Sequence, residues 1–306
     1  MNDLDLPDFD PRTTRKAVRR GLLKTASIVL AGLVALALVL VVAPIMFQKA
    51  GGRADRMENV FGTAFKIYNP AYRIVDEECC EVTPWAMSMT VRASQIRAYG
   101  GFSGSAAVPY SITQNLFGTL GHLPLGNEGN TTLTTALSMV GHKGPVDKAK
   151  TRELLDGLPK RLRALATVEF TAPLTAEQLV AFGRRYNACP ERIVYEARPG
   201  SVPITFEAGM WSRSNVMPKS GMCHDVTPTA NLAEFRAWDK ILQNSDASML
   251  RDFDLTLERV RKAAKDGLAH AYIDTGARID ELRKLLDDPQ VRAVRLVDAT
   301  FDLARF

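Results

Sequence analysis

The residues of this chain best suited to chemistry are its cysteines, histidines and clustered carboxylates. There are four cysteines, Cys79, Cys80, Cys189 and Cys223. An even number of thiols in an oxidising space suits disulfides. As immediate neighbours, Cys79 and Cys80 are expected to bond distant partners rather than each other, tying an early part of the chain to a later one. A zinc site of Cys79, Cys80, Cys189, Cys223 and adjacent His224 is an alternative, although it lacks the C-x₂-C spacing that sets tetrahedral geometry cheaply. Four inert thiols are the third reading. His122, His142 and His270 are scattered, and alternation puts His270 on the solvent side of a predicted strand. Asp76-Glu77-Glu78 and Asp287-Asp288 fall at predicted element ends, where carboxylates act as solvated caps more often than as acid–base pairs. Trp85, Trp211 and Trp238 suit core anchors or a sugar-binding face. The glycine-rich GGFSGSAA and GHLPLGNEGN match neither phosphate-binding pattern, and Ser103 lacks the second glycine of a nucleophile elbow. No constellation amounts to an active site, a metal centre or a cofactor site, so no enzyme is expected.

The elements that must position these residues hang from Thr25 to Phe47, a run without a charged residue between Lys24 and Lys49. About 20 apolar residues at 1.5 Å rise cross a hydrocarbon core of roughly 30 Å. Only a helix satisfies its own backbone in lipid, so the run is read as one spanning helix, with Pro44 in its last turn. It is longer than the apolar core of a signal peptide and lacks a clean small-x-small cleavage site, which favours an uncleaved anchor.

Basic residues set the orientation. Arg12, Arg15, Lys16, Arg19, Arg20 and Lys24 precede the run, whereas Lys49, Arg53 and Arg56 follow it, which predicts a cytoplasmic N-terminus and an extracytoplasmic remainder in the cell membrane. Arg15, Lys16, Arg19, Arg20 and Lys24 would sit at the lipid headgroups. The formal charge is +5. Six basic against four acidic residues in the first 24 account for +2, leaving +3 for the rest. So small a surplus is no nucleic-acid footprint. With 46% hydrophobic and 24% charged residues, the chain has a globular composition rather than that of a disordered tail or a multispan carrier.

Beyond the run, RMENVFGTAFKIYNP extends a helix that Asn69-Pro70 stops. AYRIV and AMSMTVRAS read as strands, the second with Met87, Met89 and Val91 on one face. From Gly100 to Gly144 no apolar period survives, and the expectation is loops around one short element, PYSITQNLFGTL. Lys148 to Arg163 reads as a polar helix. Ala164 to Phe170 is a predicted strand, followed by the capping box Thr175-Ala176-Glu177-Gln178 with Leu174 and Leu179 at the staple positions. A helix carrying Leu179, Phe182 and Tyr186 then ends near Asn187. Glu191 to Ala197 and Val202 to Glu207 are strands around the turn Arg198-Pro199-Gly200. Leu232 to Leu242 and Ala247 to Lys265 are helices. The end of the chain reads as a strand from Leu268 to Ile273, a helix with Ile279, Leu282 and Leu286 inward, and a strand from Val291 to Val297.

The pattern defines an α+β protein. Its parts are a stub at 1–24, a transmembrane helix at 25–47, a membrane-proximal region of strands and Gly-rich loops at 48–150, and an α+β domain at 151–306. Two β-α-β units, at 164–197 and 268–297, suggest a ferredoxin-like sandwich with a hairpin and helices inserted between its halves.

ATVEFTAPLTAEQL resembles the start of the C-terminal domain of bacterial sigma factor regulators, and LAHAYIDTGARIDELRKLLDDPQVRAVRL is similar to its end. The basic stub, the span and VFGTAFKIYNPAYRI resemble the N-terminal part of the same family. The resemblance covers residues 12–75 and 164–298; its motifs are structural, and it carries over no catalytic residue. It implies a membrane-anchored, anti-sigma-type regulator of an extracytoplasmic-function sigma factor. The stub has no Cys or His, so the zinc-binding helical domain of other anti-sigma proteins is absent. Its partner would be the sigma factor itself or another membrane regulator, met by Asp3, Asp5, Asp8 and Asp10. A cell-envelope binding or structural module and an envelope hydrolase remain the other readings.

Overall fold

A computed structural model describes residues 11–50, 52–98, 107–125, 131–211 and 227–301. Helix α1 (Pro11–Ala50) has 40 residues, about 60 Å at 1.5 Å per residue. Pro11 opens it, where a missing N–H costs nothing. The basic segment and the apolar run form one continuous helix through Pro44. The side chains of the apolar run are exposed, and the helix is long and apolar enough to cross a membrane. Its C-terminal end meets the body. Gln48 is buried, and its Nε2 donates to Thr83 O at 2.8 Å.

Gly52 turns the chain with a φ of +65°, a left-handed value that glycine adopts without a Cβ clash. Helix α2 (Arg53–Arg56), a π-helical segment (Met57–Gly62) and α3 (Thr63–Tyr68) follow. Met57, Val60, Phe61, Ala64, Phe65 and Ile67 are buried in this stalk. Asn69 stops it, donating from Nδ2 to Phe65 O at 3.1 Å, as the Asn-Pro pair predicts.

Strands β1 (Tyr72–Val82), β2 (Ala86–Gln95) and β3 (Val108–Asn115) make an antiparallel sheet in that order. Met87, Met89 and Val91 point into the core, as alternation requires. The 100–144 stretch is more ordered than the expected loops. Residues 107–125 include edge strand β3, and Thr131 caps helix α4 (Thr132–Ser138). In β3 only Ile112 and Gln114 are buried, so the strand carries too little apolar signal to show a period. Pro109 is tolerated because it lies at the start of an edge strand. Residues 99–106 and 126–130, including most of the first glycine-rich segment and the second half of the other, lie outside the described residues.

Helix α5 (Lys148–Asp156) stops short of the predicted Arg163, because Gly157 and Pro159 follow it. Then come β4 (Arg163–Leu174), α6 (Ala176–Tyr186), β5 (Arg192–Glu196), β6 (Ile204–Glu207) and α7 (Pro228–Ile241). The single helix expected from Ala247 to Lys265 is two, α8 (Ala247–Asp252) and α9 (Leu257–Asp266). Asp254 at φ +52° and the Thr256 cap break it, although Leu250, Phe253, Leu257, Val260 and Ala264 all remain buried. Strand β7 (Ala269–Arg278), α10 (Ile279–Asp287) and β8 (Val291–Thr300) close the described chain.

The second sheet has the order β6-β5-β7-β4-β8, every pairing antiparallel. Strands β4 and β5 are therefore parallel to each other across β7, and β7 and β8 across β4. Both faces are covered. Ala164, Ala166, Val168, Tyr195 and Tyr272 lie in the main core, while Leu165, Val194, Ala271 and Ile273 pack with Leu133, Leu137 and Val140 around α4. The main core runs unbroken from the stalk into this sheet. The rings of Phe61 and Phe253 stack 6.4 Å apart, and Trp238 Nε1 donates to Asn59 O at 3.0 Å.

Candidate functional site

Most residues with chemical potential occupy separate, structural places. Cys79 and Cys80 are bonded to each other, against the expectation of distant partners. The physical reason lies in the ladder: Cys79 pairs with Met89 and Glu81 with Ser88, leaving Cys80 as the extra residue of a bulge. A bulge abolishes the alternation that would send neighbouring side chains to opposite faces. Cys189 is also disulfide-bonded. Cys223 and His224 lie outside the described residues, as do Asp3, Asp5, Asp8 and Asp10. Among the described residues, no group of three or more His, Cys, Asp or Glu could hold a metal ion. Arg15, Lys16, Arg19, Arg20 and Lys24 are exposed on α1 ahead of its apolar run.

The carboxylates also depart from the expected solvated caps. Asp76, Glu77 and Glu78 fall inside β1, and Glu77 pairs with the nearly buried Lys66. Asp288 does cap α10 but is buried, accepting from Tyr186 Oη and from Gln290 N. His270 is half-buried rather than solvent-facing, and burial pushes its imidazole below the ordinary value. The tryptophans share no face: Trp238 is in the core and Trp85 is exposed.

What the structure does bring together is a cleft of about 710 Å³ between the stalk and the second sheet. Ligand sites commonly fall in the range of roughly 300–1,000 Å³. One wall is Tyr68 to Tyr72, where α3 gives way to β1. Pro70 O accepts from the buried Arg192 and Ala71 O from Ile96 N, which fixes this wall to both sheets. The opposite wall combines Thr134, Thr135 and Ser138 of α4 with the Gly200-Ser201 turn. Gly200 N donates to Ser138 O at 2.9 Å, locking the turn to the helix.

The third side is the break between α8 and α9. Asp254 pairs with Arg198 and accepts from Ser201 Oγ at 3.2 Å. Its carbonyl accepts from Arg259, which also holds Glu196. Arg251 and Asp252 are exposed and complete the lining. Burial pushes the Tyr68 hydroxyl above its ordinary value, and the nearby Asp254 carboxylate adds to it. Burial also raises Tyr72, with Tyr110 contributing. The lining thus offers fixed hydroxyls, two tyrosines and charges of both signs, without a histidine or cysteine. That chemistry suits binding a small polar molecule.

None of these lining residues stands out in the sequence as functional. Asn69-Pro70 and Arg198-Pro199-Gly200 read there only as punctuation, and the break at Asp254 hides inside an unbroken apolar stripe. Comparison with protein-family models, curated proteins and solved structures finds no match to this chain.

Proposed function

We propose that this chain is a single-pass regulator of the anti-sigma type, with residues 1–24 in the cytoplasm and the folded body outside. The observation that carries this reading is the docking of Gln48. The end of the exposed apolar helix is hydrogen-bonded to the β1–β2 turn, so a shift of the body moves the helix with it. One span transmits little beyond piston motion, rotation or a change of association. The resemblance of residues 12–75 and 164–298 to sigma factor regulators supplies the partner class: an extracytoplasmic-function sigma factor, or a membrane protein that holds one.

In this reading the cleft is where an outer signal acts. A small polar ligand joining Tyr68 and Tyr72 to Arg251 and Asp252 would tie the end of the stalk and β1 to α8. The protein binds and reports, without catalysis or cofactor. We also read β4–α6–β5 and β7–α10–β8 as the halves of a ferredoxin-like sandwich, with β6 and α7 to α9 inserted between them. The strand order and the two split parallel pairs support that assignment.

Deleting the gene tests the function. Transcripts of one sigma regulon rise, and charge reversal of Asp3, Asp5, Asp8 and Asp10 raises the same set at unchanged membrane level. If no sigma-dependent transcripts rise and detergent pull-down recovers neither a sigma factor nor a membrane regulator, the envelope-binding reading replaces this one.

A further inference from the structure

Two exposed aromatic side chains of the body gather beside the end of α1. Trp85 is 70% exposed and Phe117 is 90% exposed. Trp85 lies in the turn between β1 and β2, and Phe117 in the turn after β3. Leu116 N donates to Trp85 O at 2.8 Å, which joins the two turns. Both are also tied to the helix end. Gln48 donates to Thr83 O and Pro84 O, while Arg53 donates to Leu116 O at 3.0 Å and Asn115 O at 2.8 Å.

The exposure of Phe117 is built into the fold. Asn115 Oδ1 accepts from Phe117 N at 3.0 Å and from Thr119 N at 2.9 Å. Gly118 supplies the φ of +88° at the turn and donates to Asn115 O at 3.0 Å. A turn so closely specified holds a bare phenyl ring away from the body, where water is the worst solvent for it.

We propose that Trp85 and Phe117 enter the interfacial layer of the bilayer that α1 crosses, seating the body on the membrane. The proposal rests on reading α1 as a span. Depth supports it: the uncharged run ends at Phe47, and Gln48, the next residue, contacts the turn that carries Trp85. That turn therefore lies where the helix leaves hydrocarbon. Met46 and Phe47, each 65% exposed, continue the apolar surface into the helix, and Lys49 is exposed beside them at headgroup level. Tryptophan favours this layer, because its ring is apolar and its indole N–H finds headgroup oxygens.

The test uses the full chain in phosphatidylcholine–phosphatidylglycerol vesicles carrying bromine on the acyl chains. Subtracting the emission of Trp85→Phe from that of the native chain isolates Trp85 from Trp211 and Trp238. Bromine quenches most of that difference if Trp85 is interfacial, and a tryptophan introduced by Phe117→Trp in the Trp85→Phe background is quenched as well. Carbonate extraction separates the two possible failures. Retention of the chain without quenching overturns the seating alone. Release of the chain overturns the span, and the seating with it.

Discussion

Asp274 is the residue whose chemistry is most altered by the fold. It lies fully inside the second sheet, and burial pushes its carboxyl from 3.8 to about 7. Glu191 and Glu281 push it further up, while Cys189 N and Gly276 N, which donate to it, pull it down. The folded state therefore keeps a proton that the unfolded chain releases above about pH 4. Stability falls as pH rises from about 4 to about 7 and levels off beyond, by roughly 4 kcal/mol in all. Asp274→Asn removes most of that slope and leaves a remainder from Glu191, which burial also raises. Urea denaturation at intervals from pH 4 to 8 reads the slope directly, whatever the variant's absolute stability. An unchanged slope would mean that Asp274 is ionised in the folded protein.

At the scale of elements, legibility followed the strength of local signals. The Thr175–Gln178 box forms as read, with Gln178 N donating to Thr175 Oγ1 at 3.2 Å and Thr175 N to Gln178 Oε1 at 2.8 Å. Asn187 ends α6 in the left-handed region at φ +50°. Helix α10 buries the predicted Ile279, Leu282 and Leu286. What escaped was set by tertiary context. Strand β3 is held by pairing to β2 and scarcely by its own apolar residues, and α8 and α9 share one continuous stripe although a left-handed residue separates them. The cleft was illegible because its walls come from four distant segments whose residues are ordinary singly. The α10 stripe gives a quantitative check. Leu282→Ala should cost about 2–5 kcal/mol, because a fully buried leucine leaves a cavity. Leu154→Ala on α5, at a position 53% exposed, should cost less than about 1 kcal/mol. Equal losses in chemical denaturation would show that the α10 stripe is not a core face.

At the scale of the molecule, the question is whether the second sheet is stable without the stalk that joins it to the long apolar helix α1. Its main core is closed by residues that lie far ahead of it in the chain, before its first strand at Arg163. Met57, Val60, Phe61, Phe65 and Ile67 are each no more than 1% exposed. Lys66 Nζ donates to Met210 O, and Arg192 reaches back to Pro70 O. A buried side chain of this size contributes about 1.5–3 kcal/mol, so removing five forfeits on the order of 10 kcal/mol. Whole domains have only about 5–15 kcal/mol. A fragment of residues 53–306 should therefore melt in one cooperative transition. A fragment of residues 164–306 should show no sharp transition and should bind a hydrophobic dye, since Trp238 and Phe253 lose the stalk that covers them. Circular dichroism and dye fluorescence on the two fragments decide the matter. A sharp melt of the shorter piece at the same temperature would make the stalk a linker rather than part of the second sheet's core.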